Sequence, residues 1–388
     1  MKVLQVSPID VPVTKSLRQA GTQRVILLLD RELTKLGVRS IVACSDGSHV
    51  AGARSPWMQP SLGLGSCYAS HPKDYETYFA KVLNLAIEEG AELLHDHTSW
   101  LVLSEACHRS KSLLKSPILV TLHGALDADH NREYAEIWGE SDGVYFCAIS
   151  HSQKTLYSPL IRISGVIYNG IEVSEFPFEP RQRKKNYLFS LARIDHRKGQ
   201  KIAIQIAKRS GLKLFLSGPV YEANYFREIL PMIDLVTDLS AYPVKRGYFQ
   251  LVMQPLVENA AQIVYIGELD EEQKKQWYRY CSGFLMPIQW DEPFGLTMIE
   301  AMACGTPVIA FNRGSIPEIV EHGKTGFVVD TVDEMVEAVK HLDLLDAQEC
   351  RFRVMRYFDS SKMAKTYLEL YQNIIDSFKS TPSVNWPG

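Results

Sequence analysis

Short apolar runs alternate with amphipathic stretches along the chain, and this alternation predicts parallel α/β layers. In the first half, Val3–Ser7, Arg39–Cys44, Ala91–Asp96, Ile118–Leu122, Tyr145–Ile149 and Gly165–Tyr168 read as strands. A helix over Thr22–Leu36 follows from Val25, Leu28, Leu29, Leu33 and Leu36 at helical spacing, with Gly37 to end it. Tyr75–Glu89 reads as another. The Pro-punctuated stretch Phe176-Pro177-Phe178-Glu179-Pro180 reads as a linker, after which the pattern restarts. Its strands are expected at Tyr187–Leu191, Lys213–Ser217, Ile263–Ile266, Gly283–Pro287 and Pro307–Ala310. Helices are expected at Lys201–Ser210, Glu271–Cys281, Val332–Leu344 and, last, Ser361–Phe378. Tyr221–Gln254 shows no regular period. Two consecutive doubly wound parallel sheets follow, with ligands expected beyond the carboxyl ends of the strands.

A length of 388 residues accommodates two such domains, each able to bury a core. Hydrophobic residues at 46% and charged residues at 22% fit a globular enzyme. The net charge of -3 gives no reason to expect nucleic acid. The basic run Arg181-Gln182-Arg183-Lys184-Lys185 reads as a solvated linker, with peripheral contact to anionic lipid left open. No apolar run approaches the roughly 18 residues of a membrane span. Seven dispersed cysteines without a C-x-x-C pair point to a reducing cytoplasm. The opening MKVLQVSPID reads as a first strand, not a signal peptide.

The densest chemistry lies in Trp290–Asp330, WDEPFGLTMIEAMACGTPVIAFNRGSIPEIVEHGKTGFVVD. Glu292 and Glu300 stand with seven residues between them. The loop Pro293-Phe294-Gly295 opens into a helix whose apolar positions are Leu296, Ile299, Met302 and Ala303. Free amides at Gly295 and Leu296, together with the helix dipole, favour an anion there. One carboxylate for a sugar hydroxyl, amides for a diphosphate and one carboxylate for a ribose would grip a nucleotide sugar. In isolation the pair would be two exposed glutamates on an ordinary helix. Here the pattern continues through AMACGTPVIA, Gly314-Ser315, Pro317-Glu318 and Gly323-Lys324-Thr325-Gly326-Phe327. The segment resembles the E-x7-E region of the retaining glycosyltransferases of family four.

That resemblance implies the GT-B fold: two Rossmann-like domains facing a central cleft. Residues 1–175 would bind the acceptor and residues 176–360 the nucleotide sugar. The helix in 361–388 would cross back to the first domain. Glu292 would hold sugar hydroxyls, Glu300 the ribose, and Gly295 and Leu296 the phosphate, with Phe294 alongside. Arg193 and Lys198, in LARIDHRKG, match the R-x4-K pair of the family. A leaving diphosphate gains negative charge as the glycosidic bond breaks, and fixed cations lower that barrier. Arg197 competes for this role and ranks below Lys198. His123, in ILVTLHGALD, matches the family's loop histidine beside the donor sugar. Gly21, in RQAGTQRV, matches a Gly-rich first loop, although Ala20-Gly21-Thr22 replaces the usual Gly-Gly. Asn169-Gly170-Ile171 is expected to supply positive φ at a chain reversal, and Ser150 to cap a helix.

Two clusters point elsewhere. Asp127-Ala128-Asp129 has the D-x-D spacing of a divalent-metal site, and His95-Asp96-His97 resembles a ligand set. The first reads as loop, and the second alternates along one strand end without a partner cluster. No metal and no cofactor are therefore expected. The function implied is metal-independent, retaining transfer of a hexosyl-type sugar from a nucleotide sugar, UDP by family frequency. The acceptor would be a glycan, a lipid-linked sugar or a small molecule. A glycoside phosphorylase, a nucleotide-sugar epimerase and an inactive nucleotide-sugar-binding protein are the alternatives. A nicotinamide dehydrogenase would need G-x-G-x-x-G after Val3–Ser7, which the sequence lacks.

Overall fold

The computed structural model describes residues 1–15, 21–57, 59–124 and 143–380. They form two compact units. One takes in the described part of Met1–Ile171 together with the helix Ser360–Ser380, the other Glu172–Asp359.

The first unit is built on β1 (Lys2–Val6), β2 (Arg39–Ala43), β3 (Ala53–Arg54), β4 (Leu93–Asp96), β5 (Ile118–Leu122), β6 (Val144–Ala148) and β7 (Ile163–Val166). All pairings are parallel, in the order β3-β2-β1-β4-β5-β6-β7. Central strands covered on both faces read as unbroken apolar runs, and every residue of β5 is buried. The helix Gly21–Lys35 buries Val25, Ile26, Leu28, Leu29 and Leu33. Leu36, expected on that face, is 40% exposed, because the helix has already ended. The same helix buries Asp30, whose Oδ2 accepts from the amides of Ala51 (2.7 Å) and Gly52 (3.1 Å). The helix Ser360–Ser380 completes the unit by burying Tyr367 and Tyr371.

The second unit repeats the plan with β8 (Lys185–Leu191), β9 (Lys213–Ser217), β10 (Leu235–Val236), β11 (Ile263–Tyr265), β12 (Cys281–Met286), β13 (Val308–Phe311) and β14 (Gly326–Val329). Their order is β10-β11-β9-β8-β12-β13-β14, again all parallel. Helices Gln200–Ser210, Glu271–Tyr280 and Val332–Lys340 connect or cover these strands. Tyr221–Gln254 contains a short helix Ala223–Ile229, the edge strand β10 and a π-helical turn Phe249–Met253. Among the described residues no helix is long and apolar enough to cross a membrane.

Three expectations are corrected here. The stretch expected as a linker is built into the second unit: the Glu179 carboxylate accepts from Arg279 Nε at 2.7 Å, and Phe176 is buried. The basic run is likewise only partly solvated. Lys184 Nζ donates to the carbonyls of Arg279 and Cys304 and to the Thr306 hydroxyl, at 2.8, 2.9 and 2.6 Å. Nor does Asn169-Gly170 supply positive φ. Gly170 N instead donates to Met363 Sδ at 3.2 Å, so the last helix holds this segment.

Candidate functional site

In the second sheet the strand order changes direction between β8 and β12, which are neighbours in space but far apart in sequence. Loops leaving the carboxyl ends of two such strands part to opposite sides and leave a crevice, the usual ligand position in open α/β sheets. The loop after β8 carries Arg193 and Lys198, and the loop after β12 carries Trp290 and Glu292.

The first loop is shaped by buried Asp195, whose Oδ1 accepts from the amides of Arg197 (3.0 Å) and Lys198 (3.2 Å). Gly199 then takes φ of 74°, and a Cβ there would lie 2.0 Å from the Pro287 carbonyl oxygen. Only glycine allows the two loops this close. The Gln289 amide closes the contact by donating to the Arg197 carbonyl at 2.7 Å.

Lys198 Nζ thereby reaches Glu292 Oε2 at 3.0 Å, each side chain 13% exposed. Trp290 Nε1 donates to the same oxygen at 3.0 Å, and its ring lies 4.6 Å from Lys198 Nζ. Glu292 Oε1 has no hydrogen-bond partner among the described residues. From below, Gly314 packs so closely that a Cβ would sit 2.4 Å from the Glu292 carbonyl oxygen. Ser315 donates from its amide to that carbonyl and from its hydroxyl to the Phe294 carbonyl, both at 2.9 Å. The Gly314-Ser315 turn is thus a brace that sets the height of the glutamate loop.

Arg193 is 39% exposed, with its guanidinium 4.7 Å from the Tyr221 ring and Nε 3.8 Å from Asp195 Oδ2. Arg197 lies over Trp290 at 5.3 Å and does not share the bond to Glu292. Gly295 caps the helix Leu296–Ala303, whose first amides, Leu296 and Thr297, point out of the open end. Phe294 is buried against Phe358, ring centroids 5.9 Å apart, so its side chain is core and only its backbone faces the loop. Glu300 is also drawn inward. Its side chain is 3% exposed, with Oε1 accepting from Lys274 Nζ at 2.6 Å and Oε2 from the Tyr278 hydroxyl at 3.2 Å.

In the first unit Gly21 opens the helix Gly21–Lys35 and is exposed, while Ala20 lies outside the described residues. His123 follows β5, its Nε2 2.9 Å from His97 Nδ1. Burial pulls its imidazole pKa down to about 4, and His97 and His95 well below 6.5, so all three are neutral at pH 7. His95 is fully buried between the Tyr371 hydroxyl (2.6 Å) and Thr121 Oγ1 (2.7 Å), an interior position away from any ligand. Asp96 holds the next turn, accepting from Thr98 N, Thr98 Oγ1 and Leu101 N, and burial raises its carboxyl to about 6. The three residues of His95-Asp96-His97 therefore serve three separate networks. Among the described residues no group of three ligating side chains could hold a metal. Asp127 and Asp129 lie outside the described residues. Ser150 caps its helix by accepting from the Gln153 amide.

Trp290, Lys274, Tyr278 and Gln5 had no assigned part in the sequence pattern, and His97 figured there only within the His95-Asp96-His97 cluster. Trp290 alone carried a usable signal, as an aromatic two residues before Glu292. Residues 173–354 match the family model described as Glycosyl transferases group 1. The chain is 26% identical over 320 residues to an N-acetyl-alpha-D-glucosaminyl L-malate synthase of Bacillus anthracis, covering 78% of this chain and 80% of that protein. It is 29% identical over 199 residues to sucrose synthase 2 of Pisum sativum, 48% of this chain but only 23% of that larger protein. A structure of an Anabaena protein in complex with UDP superposes with a TM-score of 0.69 at 17% identity, covering 96% of this chain and 100% of that one. Sucrose-phosphate synthase from Thermosynechococcus elongatus superposes at 0.70 and 17%, covering 97% and 99%. These structural likenesses speak to the fold, which is GT-B. The matched residues span both loops of the Lys198–Glu292 pair, so it is the second unit of this GT-B fold that carries the pattern of the group 1 glycosyl transferases.

Proposed function

We propose that this chain is a retaining, metal-independent glycosyltransferase that moves a sugar from a nucleotide-sugar donor, preferentially a UDP-sugar, to a hydroxyl acceptor. The observation that carries this reading is the Lys198–Glu292 pair, beside an open helix end, with Glu292 Oε1 left for a ligand. Lys198 and Arg193 supply fixed positive charge for a leaving diphosphate, and the Gly295 and Leu296 amides add donors for its oxygens. Glu292 Oε1 accepts from a hydroxyl of the donor sugar. Glu300 receives the ribose once its carboxylate turns toward the ligand. Gly21 admits phosphate close to its backbone. His123, being neutral, adds no positive charge beside a sugar that becomes cationic as the bond breaks. The leaving phosphate takes the acceptor's proton on the same face, which gives retention without a protein nucleophile. The solved Anabaena neighbour bound to UDP and UDP-glucose supports the choice of UDP.

The test uses the full chain with UDP, GDP, ADP and their glucose conjugates. UDP is expected to raise the melting temperature most, since about 100 Kd of a ligand stabilises by ~2.7 kcal/mol. Sugar transfer is expected to persist in EDTA. Complete loss in EDTA, restored only by Mn²⁺ or Mg²⁺, would sink the metal-independent reading and bring Asp127 and Asp129 forward. Turnover that requires inorganic phosphate would favour a phosphorylase.

Trp290→Phe keeps a ring beneath Lys198 and removes the bond to Glu292. A hydrogen bond to a charged group is worth about 1.5–3 kcal/mol, so kcat/KM should fall roughly ten- to hundredfold. Trp290→Leu should fall further, by the cation–π share of about 0.5–1 kcal/mol. Equal kinetics in Trp290→Phe and wild type would leave the indole without a part in setting Glu292.

A further inference from the structure

His123 stands at the end of a buried polar chain. Gln5 lies on β1, and its register partner His95 on β4 puts His97 just beyond the strand end. Gln5 and His97 are both buried. Gln5 Nε2 donates to Ser40 Oγ at 2.9 Å, which turns its Oε1 toward His97 Nε2 at 3.3 Å. An amide oxygen only accepts, so His97 Nε2 carries the proton. A neutral imidazole has one N–H, so His97 Nδ1 must accept. His123 Nε2, 2.9 Å away, must then be the donor. The backbone on both sides of His123 is held as well: Gln153 Nε2 donates to the carbonyls of Leu122 and Gly124, each at 2.8 Å.

We infer that Gln5 and His97 are positioning residues that hold His123 in its Nε2–H tautomer, so that Nδ1 presents a lone pair to a hydroxyl of the substrate. The direction of the chain matters chemically. An Nδ1–H tautomer would donate to the substrate and could engage any acceptor, whether a phosphate, a ring oxygen or a hydroxyl oxygen, and so would not require a hydroxyl. The Nε2–H tautomer selects a hydroxyl-bearing group, which is what a sugar offers. Neutrality of the three imidazoles, caused by their burial, is what makes the chain readable in one direction. The inference rests on His123 taking part in sugar binding as proposed above, while the tautomer itself can be measured without any substrate.

The experiment labels the histidines of the full chain with ¹⁵N and reads two-bond ¹H–¹⁵N correlations at pH 7. His123 signals are assigned by their loss in His123→Ala. The expected pattern is a pyrrole-type Nε2 and a pyridine-type Nδ1. His97→Asn places an amide oxygen near the former Nδ1 and should keep both the pattern and turnover. Gln5→Leu and His97→Leu remove the direction of the chain. Both should shift His123 toward the other tautomer, with kcat falling about ten- to hundredfold, as when partners that orient an imidazole are lost. An Nδ1–H His123 in the wild type overturns the inference. So does an unchanged tautomer in folded Gln5→Leu. If His97→Leu fails to fold, Gln5→Leu and His97→Asn decide the matter. Wild-type turnover in His123→Ala with the expected tautomer present would instead remove His123 from the reaction, a separate failure of the functional reading.

Discussion

Replacing Lys198 by alanine should lower turnover by at least about a hundredfold, the scale for removing one fixed group that meets developing charge. Two losses coincide in that variant. The cation proposed for the leaving diphosphate is gone, and among the described residues Glu292 Oε2 keeps only the Trp290 N–H as partner. Arg193→Ala should match it in kcat for a simpler reason. Arg193 is 39% exposed and stacks on Tyr221, so its removal takes away charge without disturbing the glutamate. The variants should therefore separate in melting temperature. Arg193→Ala should stay within about 0.5 kcal/mol of wild type, as surface substitutions do. Lys198→Ala should cost more, because it leaves a half-buried carboxylate without its counter-ion. Steady-state rates and thermal melts on both variants check this. Near wild-type turnover in the two together would mean that the diphosphate lies elsewhere.

The two glutamates are expected to fail differently when each becomes glutamine. Glu292 is assigned to the sugar, whose charge changes during the proposed reaction, so Glu292→Gln should lower kcat itself. Glu300 is assigned to the ribose, where no bond changes, so Glu300→Gln should raise the donor's KM with kcat less affected. The structure adds a second axis. Glu300 is 3% exposed and bonded to Lys274 and Tyr278, so its neutral replacement leaves a buried ammonium with Glu271 as its remaining carboxylate. Glu300→Gln should melt earlier than Glu292→Gln by about 1–3 kcal/mol, the cost of a buried polar group losing its partner. The assignment fails if Glu300→Gln abolishes kcat while Glu292→Gln changes only KM. Equal melting of the two variants would count against the buried pair.

Much of this architecture could be read from pattern alone, and the misses have local causes. Strands such as Ile118–Leu122 and Lys213–Ser217 matched residue for residue, because parallel strands covered on both faces leave uninterrupted apolar runs. The edge strands Ala53–Arg54 and Leu235–Val236 were not visible. Two residues carry no period, and pairing with a neighbour alone makes them strands. Gly326–Val329 was noticed as a motif but not as the strand it also is. At the site, the R-x4-K spacing and the two glutamates were legible because each is set by a short loop. The partners of Glu300 were not, since Lys274 and Tyr278 face it from another helix and only the packing of the two helices brings them together. Gln5 left a trace as the one polar residue in the strand Lys2–Val6 apart from its first position, but a single sequence cannot say which side chain it meets.

The return of Ser360–Ser380 to the first unit has a consequence for the order in which the protein is made. His95 and Thr121 find their partners in Tyr371 and Tyr367, more than two hundred residues downstream. Until those tyrosines leave the ribosome, the growing chain holds the His95–Thr121 pair without the hydroxyl partner of either. The described second unit is one uninterrupted segment, Glu172–Asp359, and can close while the first still waits. The half that begins at the amino terminus is thus the half that finishes last, and a chain cut short between residues 360 and 366 would hold the whole segment Glu172–Asp359 while lacking both tyrosines that complete the first unit.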